Sequence, residues 1–325
     1  MSSVIKDSLF ERALLRPFKE SGANLLYAVS GFASPAMASY HLEALKKADG
    51  DGVHIKLIVG MGVRNGISKT ERDGFLRLAE ENPNIDARYV VRNSPVHSKM
   101  YAWYRDTSPI EGFSGSANYT QMAFLGNQRE ILSPISAENG KRYFDEILPD
   151  SVDIEDYRIN DLLVLPQPPA EKIFEGDTPS SAAYADKVTI SFLDKSGKLP
   201  LGASGLNWGQ RDGREPNQAY IKIPADIIRK QFFPEKTLHF LVLTDDGKEL
   251  ICHTAQNSSV DPTLGKAIHT PQNNSFLGLY FRNRLGLANG QKVTIQDLLK
   301  YGRTDVTFSK IDDETYYMDF SQPSS

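Results

Sequence analysis

The sequence has few of the residues that build disulfide-bonded, metal-centred or membrane-spanning proteins. Its single cysteine, Cys252, excludes an internal disulfide, and no group of Cys and His residues has zinc-site spacing. No apolar run approaches the roughly 20 residues of a membrane span. The first twenty residues are polar and charged, unlike a signal peptide. We therefore expect a cytoplasmic protein with no metal site, no cofactor and no membrane partner.

A large excess of one charge is also missing. The net charge of −4 excludes a protein that coats nucleic acid indiscriminately. The half from Ala182 to Ser325 is near neutral, with 17 Lys and Arg against 16 Asp and Glu. Within it, Lys195–Lys230 holds seven bases and three acids, and Pro262–Arg303 holds six bases and one acid. These two basic segments predict either phosphate-binding surfaces or ordinary solvated loops.

The first half, residues 1–164, alternates apolar strand-like runs with helical segments, which predicts an α/β layered domain. Ser34 and Pro35 have the residue types of a helix N-cap and first helical position. Gly60 and Gly62 lack the third glycine and the Lys-Ser/Thr of nucleotide-binding loops, so they predict a plain turn. The predicted strands are Asn24–Ser34, Val53–Val59, Ile85–Val91 and Val96–Tyr104.

The second half has a different pattern. Residues 165–181 are rich in Pro, Gly, Ser and charge, which is linker composition. Residues 182–325 then contain many short alternating segments with turn signals, including FLGLYFRNRLG, and short helical pieces at DIIRKQFF and TIQDLLKYG. This pattern predicts a mostly-β, barrel-like second domain over residues 182–325.

One stretch of the first half has the residues that phosphodiester chemistry needs. A neutral imidazole can attack phosphorus, and an ammonium two residues later, on the same face of a strand, can stabilise phosphoryl charge. A turn of small residues lets the backbone approach a phosphate, and a carboxylate can orient the imidazole. The candidates are His97, Lys99, Ser116, Asn118 and Glu130.

The pattern H-x-K, then G-S-x-N, then a downstream Glu resembles the phospholipase D superfamily, and most closely its single-motif nucleases. That superfamily usually has Asp five residues after the Lys. This chain has Tyr104 there, with Asp106 nearby. The resemblance implies that another carboxylate orients His97, and Glu130 is the predicted substitute.

The segments SGLNWGQR, REPNQAYI and NNSFLGLYFRNRLGL resemble the target-recognition domain of NgoFVII-type restriction endonucleases. That domain is a β pseudobarrel related to plant transcription factor domains, and two arms grip the DNA major groove. By themselves the two segments are also compatible with long polar loops. Trp208 and Tyr280 are expected to pack rather than contact bases. The predicted DNA contacts are Asn207, Gln210, Arg211, Arg214, Gln218, His269, Gln272, Asn273, Asn274, Arg282 and Arg284.

The resemblance predicts a type II-like restriction endonuclease that cleaves double-stranded DNA through a phosphohistidine, without a metal. The other five histidines lack an accompanying Lys and GSAN turn, so a second copy is expected to supply the second histidine. The nuclease domain would then form a homodimer. Two alternatives are a lipid-cleaving phospholipase D and a DNA-binding subunit beside an ATPase or helicase-like partner.

Overall fold

The structure is a computed structural model that describes residues 4–126, 128–164, 187–194, 196–200, 203–271 and 273–322. The chain divides into two compact units, Met1–Pro166 and Gln167–Ser325. The predicted linker 165–181 and the predicted DNA contact Gln272 lie outside the described residues. The linker and the exact domain boundary therefore stay predictions.

A mixed seven-stranded sheet forms the centre of the N-terminal unit, in the order β7-β6-β5-β1-β2-β4-β8. Three neighbouring strands, β1, β2 and β4, are parallel, whereas the other neighbouring pairs are antiparallel. The strands are β1 (Leu25–Ser30), β2 (His54–Val59), β4 (Ile85–Val90), β5 (Met100–Arg105), β6 (Ser108–Gly115), β7 (Leu132–Ile135) and β8 (Ser151–Asp153), and a separate pair is β3 (Ile67–Ser68) with β9 (Leu163–Val164).

Helices join these strands, and several begin at a side-chain cap. Ser34 caps the second helix, since its hydroxyl accepts a hydrogen bond from the Met37 backbone N–H at 3.2 Å. Side chains of the sixth helix, including Phe144, pack with Val29 and Ala102 in one apolar core. A π-helical turn spans Phe10–Leu15, and the α-helices are α1 (Arg16–Ser21), α2 (Pro35–Lys47), α3 (Gly62–Asn65), α4 (Lys69–Glu81), α5 (Gln121–Phe124) and α6 (Ala137–Ile147).

The predicted strand Val96–Tyr104 is too long at its start. Strand β5 begins at Met100, so His97 and Lys99 lie in the extended segment before it. The physical reason is that Val96 donates its backbone N–H to the Gly60 carbonyl beyond the end of β2, at 3.0 Å, instead of joining the ladder with β1. Side-chain alternation therefore does not fix the relation between His97 and Lys99.

The C-terminal unit is also built on a seven-stranded sheet, in the order β10-β15-β16-β12-β13-β14-β11. Strands β12 and β16 are parallel, and the other neighbours are antiparallel. One core cluster contains Phe233, Phe240, Phe308 and Tyr316. The strands are β10 (Lys187–Ser191), β11 (Ile221–Lys222), β12 (His239–Thr244), β13 (Glu249–Asn257), β14 (Gly265–His269), β15 (Asp305–Lys310) and β16 (Thr315–Asp319).

One predicted β segment of this unit is an α-helix. The segment FLGLYFRNRLG, predicted as a β segment, forms helix α8 (Ser275–Leu285). The capping residue after it, Gly286, has a φ of 68°, which suits glycine and ends the helix. The predicted helical pieces are α7 (Ala225–Arg229) and α9 (Ile295–Tyr301). The prediction of an α/β unit followed by a mostly-β unit is confirmed.

Candidate functional site

The five predicted catalytic residues all lie at one edge of the N-terminal sheet. Parallel strands β1 and β2 both end there, at Ser30 and Val59. Antiparallel β5 starts at the same edge, because Met100 pairs with Val29, and β6 ends there, because Ser114 pairs with Met100. The carboxyl ends of parallel strands are the usual place for a ligand in such sheets.

The segment before β5 is held by contacts that leave the His97 side chain exposed. The Gly60 backbone packs so closely on Val96 that a Cβ there would lie 2.0 Å from the Val96 carbonyl oxygen. The hydroxyl of Ser98 hydrogen-bonds the Tyr143 hydroxyl on α6 at 2.7 Å. His97 therefore presents an accessible imidazole on a constrained backbone.

The Lys99 side chain is buried and turns back along its own segment. Its Nζ donates to the His97 carbonyl oxygen at 2.6 Å, and the residue is only 6% exposed. Burial lowers the pKa of Lys99, while the negative charge of Glu130 acts in the opposite direction. The ammonium is thus bonded to the backbone of His97 and lies within electrostatic range of the Glu130 carboxylate.

The GSAN turn is tied to the start of β7. Ser116 donates its backbone N–H to the Ile131 carbonyl and accepts the Ile131 N–H on its hydroxyl, both at 3.0 Å. The same hydroxyl donates to the Glu130 carboxylate. Gly115 is required because a Cβ would lie 2.1 Å from the Ile131 carbonyl oxygen. This network fixes Ser116 and Glu130 as a pair.

The Asn118 amide faces the end of β1. Its Oδ1 accepts the Phe32 backbone N–H at 3.2 Å and lies 3.4 Å from the Ser30 hydroxyl. A Cβ at Gly31 would lie 2.9 Å from Cδ2 of His97 and 3.4 Å from Oδ1 of Asn118. His97 and Asn118 therefore both lie next to the backbone of Gly31. Within the described part of the chain, the side-chain nitrogen of Asn118 remains as a hydrogen-bond donor.

The expectation that Glu130 orients His97 changes. Among the described residues, no carboxylate hydrogen-bonds the His97 ring. Glu130 instead accepts a hydrogen bond from Ser116 and lies close enough to Lys99 to influence its pKa. Asp106 is no substitute, since it follows the far end of β5 and accepts from Asn24 at 2.8 Å. Glu130 thus interacts with Ser116 by a hydrogen bond and with Lys99 by its charge, rather than with the imidazole.

The sequence patterns did not indicate that residues at the end of β1 border the site. Ser30 is fully buried, and its hydroxyl accepts the Tyr119 backbone N–H at 2.9 Å beside the Asn118 amide. The Tyr119 hydroxyl in turn hydrogen-bonds buried His41 at 2.8 Å, and burial lowers the pKa of His41 to about 4. The rule that ligands gather at the carboxyl ends of parallel strands would have drawn attention to Ser30, Gly31 and Phe32.

Four predicted DNA contacts in the C-terminal unit are instead structural. Asn207 uses both ends of its amide on the Val293 backbone, at 2.8 Å each, and His269 is buried beside Tyr220. Burial lowers the pKa of His269 to about 4. The polar groups of Asn207, Arg282 and Arg284 already bond the protein, and His269 is buried, which corrects the prediction that Asn207, His269, Arg282 and Arg284 read bases.

The two arginines of α8 fill separate interior positions. Arg282 is 0% exposed and donates to backbone carbonyls of Gln291, Gly278, Leu206 and Pro216, at 2.7 to 3.3 Å. Arg284 forms a two-pronged ion pair with Asp245, at 2.9 and 2.6 Å. Tyr280, predicted to pack, is buried beside them.

The other predicted contacts are more accessible, although several also hold the loop. Gln210 donates to the Pro216 and Gly290 carbonyls at 3.0 Å, and Asn273 accepts the Ser275 N–H at the start of α8. Arg214 lies over the Trp208 ring at 4.1 Å and donates to Gln218. Arg211 is exposed, and Asn274 is half-buried.

A cleft of about 1170 Å³ lies elsewhere in the same unit. Its walls come from the chain after β10, from β11 and α7, and from the end of β13. Three exposed cations line it, and no carboxylate among the described residues forms a salt bridge with them. The cations are Lys222, Arg229 and Lys266, and Gln256 and Ser259 also reach the cleft.

Family comparisons match both units. Residues 8–161 match the NgoFVII restriction endonuclease N-terminal PLD domain. Residues 181–312 match the NgoFVII C-terminal B3-like DNA-binding domain. The predicted fold class is confirmed: an N-terminal phospholipase D-like nuclease domain precedes a mostly-β, B3-like DNA-binding domain.

Comparison with solved structures found similarity to NucT from Helicobacter pylori, at 19% identity and a TM-score of 0.32. A phospholipase D family member, Nuc from Salmonella typhimurium, is similar at 18% identity and a TM-score of 0.35. Each match covers 47% of this chain and 98% of the other. Comparison with curated proteins found no match. Within the described ranges, no helix has the length and apolarity needed to cross a membrane.

Proposed function

Because the chain belongs to the NgoFVII restriction endonuclease family, we propose that it cleaves double-stranded DNA at a specific base sequence. We propose further that a covalent phosphohistidine on His97 is the intermediate. One observation carries this proposal: an exposed imidazole, a buried ammonium and a side-chain amide converge at the carboxyl edge of the N-terminal sheet. These are the groups needed to attack a phosphate and to hold its charge.

The proposed reaction has two steps. A ring nitrogen of His97 bonds to phosphorus while the bond from phosphorus to the leaving oxygen breaks, and a second, protonated imidazole gives this oxygen its proton. The second imidazole, now neutral, removes a proton from water, whose oxygen attacks phosphorus and breaks the bond to His97. Lys99 and the Asn118 amide nitrogen stabilise the phosphoryl oxygens in both steps.

A second copy of the chain is proposed to supply the second imidazole. His41 is fully buried and bonded through both ring nitrogens, to Tyr119 and to the Leu14 carbonyl, so it is unsuited to this role. His54 stands at the start of β2, the end of that strand away from the site, and His239, His253 and His269 belong to the DNA-binding domain. A two-fold axis through the nuclease domain would bring two His97 rings into one shared site.

Glu130 is proposed to act as a positioning residue. It accepts the Ser116 hydroxyl proton and stands close enough to Lys99 to influence its pKa. Its negative charge raises the pKa of the buried ammonium, against the lowering by burial, and its bond to Ser116 fixes the turn that carries Asn118. The cations of this site are therefore protein groups, and we propose that cleavage needs no divalent metal.

The DNA-reading surface is proposed to include the cleft of the B3-like domain. Lys222, Arg229 and Lys266 supply positive charge without a carboxylate partner among the described residues. Gln256 adds an amide that can read a base edge. Exposed Arg211 and the Arg214–Gln218 pair, together with Asn273, stay proposed contacts from the original set, whereas the interior arginines do not.

Cleavage of a long DNA of known sequence tests this function. We expect discrete fragments in buffer with EDTA, because Lys99 and paired histidines replace a metal clamp. His97→Ala should lower the cleavage rate by at least about a thousandfold while specific DNA binding persists. The matched control is His54→Ala, since His54 is an exposed histidine on β2 outside the site.

Three outcomes would contradict parts of the proposal. Activity that vanishes in EDTA and returns with Mg²⁺ would reject the metal-free mechanism. Cleavage only after addition of ATP and a helicase-like subunit would make this chain a component of a larger ATP-dependent complex. Hydrolysis of a phospholipid, with DNA left intact, would reject the proposal that DNA is the substrate of this chain.

A further inference from the structure

Phe32 is an exposed aromatic residue at the rim of the candidate active site. It is 41% exposed, although Gly31 before it is buried and Ala33 after it is only 4% exposed. A phenylalanine left partly in water forgoes some of the free energy that burial of its side chain would give. The position therefore needs an explanation other than the packing of this domain.

The backbone of Phe32 is fixed on both sides. Its N–H donates to Oδ1 of Asn118 at 3.2 Å, and its carbonyl accepts the Ser30 hydroxyl proton at 2.6 Å. Two residues later, the Ser34 N–H donates to the Tyr119 carbonyl at 3.1 Å. These bonds to Ser30, Asn118 and Tyr119 fix the backbone from which the Phe32 ring projects.

The ring itself stands beside the proposed nucleophile. Its centroid lies 6.1 Å from that of the His97 imidazole, and the two ring planes meet at 79°. An edge-to-face contact covers only part of an aromatic surface, and Phe32 remains 41% exposed to solvent beside the imidazole. This surface lies immediately next to the point where phosphorus would be attacked.

We propose that Phe32 stacks on the nucleobase adjacent to the scissile phosphate and so positions that phosphate against His97. The inference rests on the proposed function, since a phosphodiester at His97 carries a nucleoside on each side. An aromatic side chain binds any base through its π-face, so Phe32 adds affinity without choosing a sequence. A base inside a duplex is already stacked on its neighbours, so the proposal requires one base at the cut to leave the stack.

The test is a double-mutant cycle between Phe32 and the base. Single-turnover cleavage is measured with the wild-type chain and Phe32→Ala, on intact duplex and on duplexes with an abasic nucleotide at each position flanking the mapped cut. We expect Phe32→Ala to slow cleavage of intact duplex roughly 5- to 150-fold. At one flanking position, the abasic duplex should slow the wild-type chain similarly, and the two changes together should cost little more than either alone.

Two further variants separate stacking from a structural role. Phe32→Trp should retain the wild-type rate, whereas Phe32→Leu, which is apolar but has no flat ring, should resemble Phe32→Ala. Leu299→Ala removes an apolar side chain in the other domain that is even more exposed than Phe32, and it should leave the rate unchanged. Losses that multiply at every flanking position would overturn the stacking proposal.

Other outcomes also decide the matter. If Phe32→Ala turned a dimer into a monomer in light scattering, the exposed ring would belong to a protein interface, and stacking would be overturned. If the wild-type chain left every DNA intact, both the proposed function and this inference would fail. Cleavage by the wild-type chain with multiplicative losses would remove only the inference.

Discussion

At the residue scale, Arg282 shows why residue type alone misplaced part of the DNA-binding surface. The sequence pattern treated FRNRLG as a strand, in which residues two apart share a face. In helix α8, residues two apart point in different directions, and Arg282 and Arg284 enter separate interior positions. A guanidinium has five donors, and those of Arg282 bind four backbone carbonyls instead of a guanine.

Arg282→Ala is therefore predicted to destabilise the fold. A charge reversal in the cleft is predicted to weaken DNA binding instead. Arg282→Ala leaves buried carbonyls unpaired and should lower the free energy of unfolding by about 3 kcal/mol or more.

The double variant Lys222→Glu, Lys266→Glu changes only exposed side chains, so its free energy of unfolding should change by less than about 1 kcal/mol. Its DNA affinity should fall and depend less steeply on salt, because fewer phosphates are neutralised. Urea unfolding and DNA titrations in a salt series measure both.

The matched control is Lys300→Glu, which reverses an exposed cation of α9 that is not among the cleft residues. Its DNA affinity should change less than that of the cleft variant. A stable Arg282→Ala protein with lost sequence preference would restore the original prediction for this arginine. Unchanged DNA affinity in the cleft variant would remove the cleft from the DNA surface.

At the element scale, local signals predicted the helices and strands of the N-terminal domain better than the connection that carries His97. The cap Ser34 and the apolar runs are short-range features, and the structure has α2, β1, β2 and β4 close to the predicted positions. The segment before β5 depends on a long-range contact, because Val96 bonds Gly60. No local pattern shows that a turn 36 residues earlier will remove four residues from a strand.

Gly60 is predicted to be essential for the placement of His97. A methyl group at Gly60 would lie 2.0 Å from the Val96 carbonyl oxygen and 2.7 Å from its Cβ, so the backbone before His97 must shift. Small displacements of a reacting group cost large factors in rate, and we expect Gly60→Ala to lower DNA cleavage by about a hundredfold. Single-turnover cleavage measures this loss, and binding to the same DNA should change little.

Gly52→Ala provides the control, because a Cβ there would meet no atom within 4 Å and the residue lies just before β2. It should keep the wild-type rate. Circular dichroism of both variants distinguishes local displacement from unfolding. Wild-type cleavage by a folded Gly60→Ala protein would show that the Val96 contact does not position the imidazole.

At the scale of the whole molecule, the order of the domains was predictable and the order of strands within each sheet was not. Composition separates an alternating first half from a strand-rich second half. Strand β1, in contrast, lies between β2 and β5, and β12 pairs in parallel with β16, which the sequence analysis did not identify as a strand. Such pairings join segments far apart in the chain, and periodicity within a segment contains no information about its partner.

The shared site predicts how mixtures of active and inactive chains behave. If catalysis needs His97 from two copies, a mixed dimer of wild-type and His97→Ala chains has one imidazole and cannot complete the reaction. With three parts variant to one part wild type and random pairing, cleavage per wild-type chain should fall to about one quarter. Co-expression of differently tagged chains allows mixed dimers to form. The same mixture made with Leu299→Ala in place of His97→Ala should keep its activity. If tag pull-down shows mixed dimers while cleavage per wild-type chain stays constant, each copy has a complete site, and the second imidazole must come from elsewhere in the same chain.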